Sequence, residues 1–111
     1  MKRRWYIDGD MFVQETTCPS PMVANKMHTH KPERSHITSV TSGAVRIFDS
    51  NGWEIVVLSG ETVDLCNNLE HEIVSIEPDT VFKNIIPASR LSEDEKQAYL
   101  LHDRQINGDR G

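Results

Sequence analysis

Short runs of β-branched and aromatic residues alternate with turn-forming residues along most of this chain. Residues of the first kind favour β-strands, whereas Gly, Pro, Asn and Asp favour the turns that separate strands. Eight or more short strands with frequent turns predict an all-β sandwich or barrel. The predicted strands cover residues 5–7, 11–13, 25–30, 36–41, 44–48, 53–58, 62–65, 70–76 and 80–86.

One short helix is predicted near the C-terminus, over about residues 92–103. Ser92 and Glu95 form a capping box, because the Ser92 hydroxyl can accept from the Glu95 amide and the Glu95 carboxylate can return the bond. The acidic first turn also suits the positive end of the helix dipole. Leu100 and Leu101 give this helix a short apolar face.

Four of the five histidines fall in two short segments of the chain. His28, His30 and His36 lie in the segment MHTHKPERSH, and His71 follows His36 by 35 residues. On a strand, side chains two residues apart point to the same face, so His28 and His30 can present two imidazoles to one point. His71, on another strand, could complete a metal site, since neutral imidazole is a common ligand of Zn, Cu, Fe and Ni.

The first histidine segment resembles the first motif of the cupin superfamily. His28 and His30 match its H-x-H element, and Gly43 matches its closing glycine. The position seven residues before Gly43 is His36, where the family usually has glutamate. Met22 occupies the position of the motif's opening glycine, so the resemblance fails at that residue.

The region around His71 resembles the second cupin motif. Gly60 matches its glycine, and His71 follows eleven residues later, as the motif requires. Cys66 stands at the motif's proline position, Asn68 at its second glycine and Ser75 at its final asparagine. The resemblance implies the cupin fold, a jelly-roll barrel also described as a double-stranded β-helix, with the metal-site core over about residues 25–84.

The resemblance also implies that His28, His30 and His71 bind a divalent transition metal such as Fe, Ni, Zn, Mn or Cu. The fourth ligand is either His36 or Glu33, and we favour His36 because its position fits the motif. A shell made only of nitrogen ligands disfavours Mg and Ca and fits Zn, Ni, Cu or Fe. A carboxylate from Glu33 in that shell would suit Fe or Mn.

A metal with open coordination positions can act as a Lewis acid, activate water or bind oxygen. We therefore predict a metal-dependent enzyme, of the dioxygenase or the lyase and isomerase type, that acts on a small polar molecule. Arg46 and Lys83, both on predicted strands, are candidates for binding a carboxylate or phosphate of that molecule. No catalytic residue is identified. The alternative is a non-catalytic or regulatory cupin that binds a small ligand and keeps a structural metal.

Length and charge narrow the classes of protein further. A chain of 111 residues predicts a single domain over residues 1–111. The net charge of -5 argues against nucleic-acid binding. The sequence lacks an apolar run long enough for a membrane span and shows no secretory signal behind its basic first residues. Cys18 and Cys66 do not make a disulfide framework, so we expect a reduced, cytoplasmic protein.

The segment WEIVVL, residues 53–58, is apolar at consecutive positions. Such a strand is expected to be covered on both faces. One short helix cannot cover a whole sheet, and in a small barrel the outer cover is often a second subunit. A homodimer is therefore predicted.

Overall fold

The computed structural model describes residues 1–29, 36–65 and 70–108, which fold into nine strands and one α-helix, with a short 3-10 helix between them. The predicted all-β architecture with one C-terminal helix is confirmed. The elements are β1 (Lys2–Asp8), β2 (Met11–Cys18), β3 (Met22–Thr29), β4 (Ile37–Ser42), β5 (Ala44–Phe48), β6 (Glu54–Leu58), β7 (Thr62–Asp64), β8 (Glu70–Ser75), β9 (Thr80–Pro87), the 3-10 helix Ala88–Arg90 and α1 (Glu93–Asn107).

The strands form two antiparallel sheets in a jelly-roll arrangement. The larger sheet has the order β1-β2-β9-β4-β7, and the smaller has the order β3-β8-β5-β6. Strand β9 lies between β2 and β4, which are far from it in sequence. Residues of β1, β2, β3 and β9 line a common cavity.

Alternation along the strands decides which side chains face the core between the sheets. In β8, His71, Ile73 and Ser75 are buried, whereas the residues between them are partly exposed. Ile73 lies opposite Ile47 of β5, another fully buried residue. Because alternate side chains of a strand share a face, His71 points to the same inner side as Ile73.

Gly43, at the turn between β4 and β5, occupies a position that only glycine fits. Its φ is +74°, in the left-handed region. A Cβ atom there would lie 2.2 Å from Thr80 Oγ1 and 2.8 Å from Thr80 Cα. The close approach of the β9 backbone explains the glycine in physical terms. Gly60 also has a positive φ, of +86°, but a Cβ atom there would meet nothing within 4 Å.

The helix α1 begins with the predicted capping box. The Glu95 amide donates to Ser92 Oγ at 3.1 Å, and the Ser92 amide donates to Glu95 Oε1 at 3.2 Å. The helix extends past the predicted end near residue 103 to Asn107. The extra turn contacts β1.

Two polar side chains of α1 bind the backbone of β1, which lies at the edge of its sheet. The Trp5 amide donates to Asp103 Oδ1 at 2.8 Å, and Asn107 Nδ2 donates to the Arg3 carbonyl at 2.8 Å. Asp103 is buried despite its charge. These bonds satisfy backbone groups that an edge strand would otherwise leave unpaired, and they hold the helix across one end of the fold.

Cys18 is a buried free thiol at the end of β2, within the main hydrophobic core. Cys66 and Asn68 lie outside the described residues. Within the described part of the chain, no helix is both long enough and apolar enough to cross a membrane.

Candidate metal centre

His36 and His71 form the closest pair of histidines in the described structure. His71 is fully buried on β8, and His36, 5% exposed, directly precedes β4. Their Nε2 atoms lie 3.2 Å apart. With metal–nitrogen bonds of about 2.0–2.1 Å, two ligands of one ion stand about 3.3 Å apart in tetrahedral geometry and about 2.9 Å apart at right angles. The observed separation is that of a hydrogen bond between the two rings, and it also fits two neighbouring ligands of a single ion.

A hydrogen-bonded chain favours one tautomer of His36. The Thr38 hydroxyl donates its single hydrogen to Asn84 Oδ1 at 2.8 Å. The same hydroxyl lies 3.2 Å from His36 Nδ1, so it accepts there from the ring N–H. A neutral imidazole protonated at Nδ1 carries its lone pair on Nε2, the atom that faces His71. Metal-binding histidines are commonly oriented by such a partner on the other ring nitrogen.

His28 belongs to the same cluster but is turned differently. It lies directly opposite His71 in the pairing of β3 with β8, and the two ring centroids are 5.3 Å apart. Its Nδ1 lies against the carbonyl of Lys26. The structure thus brings His28, His36 and His71 to one end of the fold.

The other two predicted ligands, His30 and Glu33, lie outside the described residues. Among the residues that are described, no three His, Cys, Asp or Glu side chains are arranged to hold a metal ion. The distance between the Nε2 atoms of His36 and His71 is compatible with a shared metal ion. The complete set of ligands remains a prediction.

A cavity of about 240 Å³ opens beside the histidines, under the C-terminal helix. This volume is below the roughly 300–1,000 Å³ of sites that hold drug-sized ligands, so the cavity suits a small molecule. Its polar wall consists of Arg3, Gln14, Asn25, His28, His36 and Asn84. Trp5, Phe12 and Tyr99 contribute aromatic surface on the helix side.

Arg3 is a cavity residue that was not among the predicted site residues. Its Nη1 donates to Gln14 Oε1 at 3.2 Å and to Thr16 Oγ1 at 3.3 Å. Its Nη2 donates to Asn25 Oδ1 at 2.9 Å and also to the Ala24 carbonyl. Burial lowers the pKa of the Arg3 guanidinium, because removal from water disfavours the charged form.

One signal in the sequence does point to this residue. Arg3 lies two positions before Trp5, so in a strand that began at Lys2 the two side chains would share the inner face. The residue pattern predicts a strand only from Trp5 and assigns no role to Arg3, in the basic N-terminal segment.

Arg46 and Lys83, the predicted substrate-binding residues, do not line the cavity that the described residues form. Arg46 lies between the buried residues Val45 and Ile47, so it points to the outer face of the smaller sheet. There its Nη2 donates to Glu54 Oε2 at 3.3 Å, and its guanidinium stacks 4.3 Å from the centre of the Phe48 ring.

The contact between Arg46 and Glu54 shifts the pKa of both groups. The hydrogen bond lowers the pKa of Glu54 and raises the pKa of Arg46. Lys83 lies between Phe82 and Asn84, both of which face inward, and so points outward as well.

Comparison with solved structures identifies the fold. The chain is similar to KdgF from Halomonas sp., with a TM-score of 0.65 and 20% identity over 83% of this chain and 80% of that chain. It is similar to a cupin protein from Bacteroides fragilis, with a TM-score of 0.61 and 17% identity over 82% and 80% of the two chains. The protein therefore has a cupin fold, as the motifs predict.

A third similar structure belongs to a longer chain. An HTH_3 family transcriptional regulator from Vibrio cholerae matches with a TM-score of 0.58 and 14% identity, over 77% of this chain and 49% of that chain. Neither a family model nor a curated protein matches the sequence itself.

Proposed function

We propose that this protein binds a divalent transition metal through His28, His30, His36 and His71, with Glu33 as the alternative to His36. The observation that supports this most strongly is the 3.2 Å separation of the Nε2 atoms of His36 and His71. Because His36 Nδ1 is hydrogen-bonded to Thr38, the lone pair of His36 lies on Nε2, the atom that faces His71. A nitrogen-rich set of this kind suits Fe, Ni or Zn, and Glu33 in the fourth position would extend it to Mn.

The cavity beside the histidines supports a metal-dependent enzyme that acts on a small molecule. His28 and His36 both line it, so a bound molecule would lie next to the proposed ligands. A metal there would act as a Lewis acid or activate water or oxygen. Gln14, Asn25 and Asn84 offer neutral amide groups that orient a polar substrate.

Cobalt binding followed by azide addition tests this proposal. Co²⁺ bound by three or four imidazoles absorbs visible light, and its spectrum changes when another ligand binds. We expect the same absorption bands in the wild-type protein and in His102→Ala, whose altered histidine is exposed on α1, and weaker, shifted bands in His36→Ala, which lacks one of the proposed ligands. A spectrum that changes with azide indicates an open position, as an enzyme needs. Absence of cobalt bands in the wild type would contradict the metal site.

The alternative function is a non-catalytic, regulatory cupin. The similarity to part of a transcriptional regulator favours it, because the same fold forms about half of that longer chain. In this case the metal would be structural, with a closed set of ligands. A cobalt spectrum that azide leaves unchanged would support this alternative against the enzyme.

We also propose that two copies associate through the outer face of the smaller sheet. Four apolar side chains are exposed there or at its border: Val23 (47%), Val56 (45%), Leu58 (51%) and Ile76 (40%). Arg46 lies among them with Glu54 and Glu72 nearby, so the face carries both signs of charge. A twofold interface brings the same patch of both copies together, and a face with both signs of charge allows opposite charges to meet across the axis, which favours a second copy as the occupant. A reduced, cytoplasmic environment would match the free thiol of Cys18.

A further inference from the structure

The described part of the cavity wall carries a positive charge. Among the described residues that line it, Arg3 is permanently charged, and none is Asp or Glu. The protein as a whole has a net charge of -5, so the described lining of the cavity has the opposite sign to the chain. A concave site of one sign attracts ligands of the other sign.

Arg3 differs from the other strand arginines in its partners. Arg4, its neighbour on β1, makes an ion pair with Glu15 at 3.7 Å, and Arg46 makes one with Glu54. Arg3 makes no ion pair with any carboxylate of the described residues, and its guanidinium donates to neutral oxygens. These bonds fix the position of the guanidinium without neutralising its charge.

A half-buried cation without an anion is disfavoured, because burial removes hydration that neutral acceptors replace only in part. A carboxylate that entered the cavity would offset this cost. It would also form hydrogen bonds in which donor and acceptor are both charged, which are stronger than those that Arg3 makes to the neutral amides of Gln14 and Asn25. Both of these amides line the cavity, and a ligand can replace them as hydrogen-bond acceptors of Arg3.

We infer that Arg3 binds the carboxylate of a small organic acid in this cavity, with Trp5, Phe12 and Tyr99 against the body of the acid. The inference rests on the proposed function, since it uses the same cavity and names the class of its ligand. A single guanidinium matches the single charge of a monocarboxylate, and the aromatic wall matches an apolar body.

Gln14 links this anion site to the histidines. Its Oε1 accepts from Arg3 Nη1 at 3.2 Å and from Asn84 Nδ2 at 3.4 Å. Asn84 in turn accepts from Thr38, the partner of His36. The two ends of the cavity are thereby held by one chain of hydrogen bonds, which sets the distance between an anchored carboxylate and the imidazoles.

Benzoate and benzamide are suitable probes, because they share a shape and differ in charge. We would titrate each into metal-free protein and follow backbone amides and the Arg3 side chain by ¹H–¹⁵N NMR. We expect the wild type to bind benzoate about ten to a hundred times more tightly than benzamide, the range for a hydrogen bond to a charged group. Arg3→Gln should lose this preference, and Arg4→Gln, which removes the same charge from the outer face, should keep it.

Equal binding of the two probes by the wild type, or no binding of benzoate, would overturn the inference. So would an unchanged preference in Arg3→Gln. Arg3→Lys keeps the charge without the planar fork and should retain part of the preference, which guards against a folding defect in the glutamine variant. The titration contains no metal, so its result does not depend on whether the histidines bind a metal. Carboxylate binding and metal binding are therefore tested separately.

Discussion

The imidazoles of His36 and His71 meet at their Nε2 atoms, 3.2 Å apart, although they come from different sheets. His36 precedes β4 of the larger sheet, and His71 lies on β8 of the smaller sheet. The pair therefore depends on how the two sheets pack and not on any local turn. Because both rings are buried, their polar atoms are held by partners other than bulk water, and we propose a shared metal ion as a partner of both Nε2 atoms.

Replacement of Thr38 by Val should weaken metal binding without removing a ligand. The hydroxyl orients His36 through Nδ1, and loss of such a partner costs about 10–100-fold in metal affinity. Competition titrations with a chromophoric chelator would measure the change. Thr38→Ser should restore most of the affinity, and Thr41→Val, at an exposed position of the same strand, should leave it unaltered. Equal affinities in all four proteins would show that the chain does not orient the ligand.

Replacement of Gly43 by Ala should destabilise the fold far more than the same change at Gly60. Both residues have positive φ, but only at Gly43 would the new methyl group collide with Thr80. We expect the free energy of unfolding to fall by about 2–5 kcal/mol for Gly43→Ala. Gly60→Ala should cost about 1–2 kcal/mol from backbone strain alone. Urea denaturation would measure both, and similar losses would contradict the close approach of β9.

Replacement of Leu58 by Glu should dissociate the proposed homodimer. The residue is 51% exposed in the single chain and lies on the proposed interface. Leu101→Glu places the same charge at an equally exposed leucine on the helix, with 49% exposure, and should leave the mass unchanged. Sedimentation velocity would give the masses. A wild-type mass equal to one chain at micromolar concentration would exclude the homodimer.

The sequence predicts the elements of this fold well because their signals are local. The predicted strand over residues 44–48 coincides with β5, and the capping box of Ser92 and Glu95 forms as expected. Gly43 and Gly60 both adopt the positive φ typical of a turn glycine. Each of these features depends on neighbours along the chain.

The composition of the cavity wall could not be predicted in the same way. Asn84 reaches Thr38 and Gln14 because β9 pairs with both β2 and β4, and no local pattern specifies that pairing. Arg3 lines the cavity because β1 begins at Lys2, earlier than the predicted strand. Asn107 of the helix binds the Arg3 carbonyl there. For Arg46, by contrast, strict alternation with Val45 and Ile47 would have indicated the outer face from the sequence alone.

Elemental analysis tests most directly whether the histidines bind one metal ion. The protein would be purified without a histidine tag, beside His71→Ala and the control His102→Ala. We predict about one equivalent of a transition metal in the wild type and in His102→Ala, and its loss in His71→Ala. A wild-type protein that holds no metal, and takes up none from added Fe²⁺, Ni²⁺, Mn²⁺ or Zn²⁺, would contradict metal binding by this cluster.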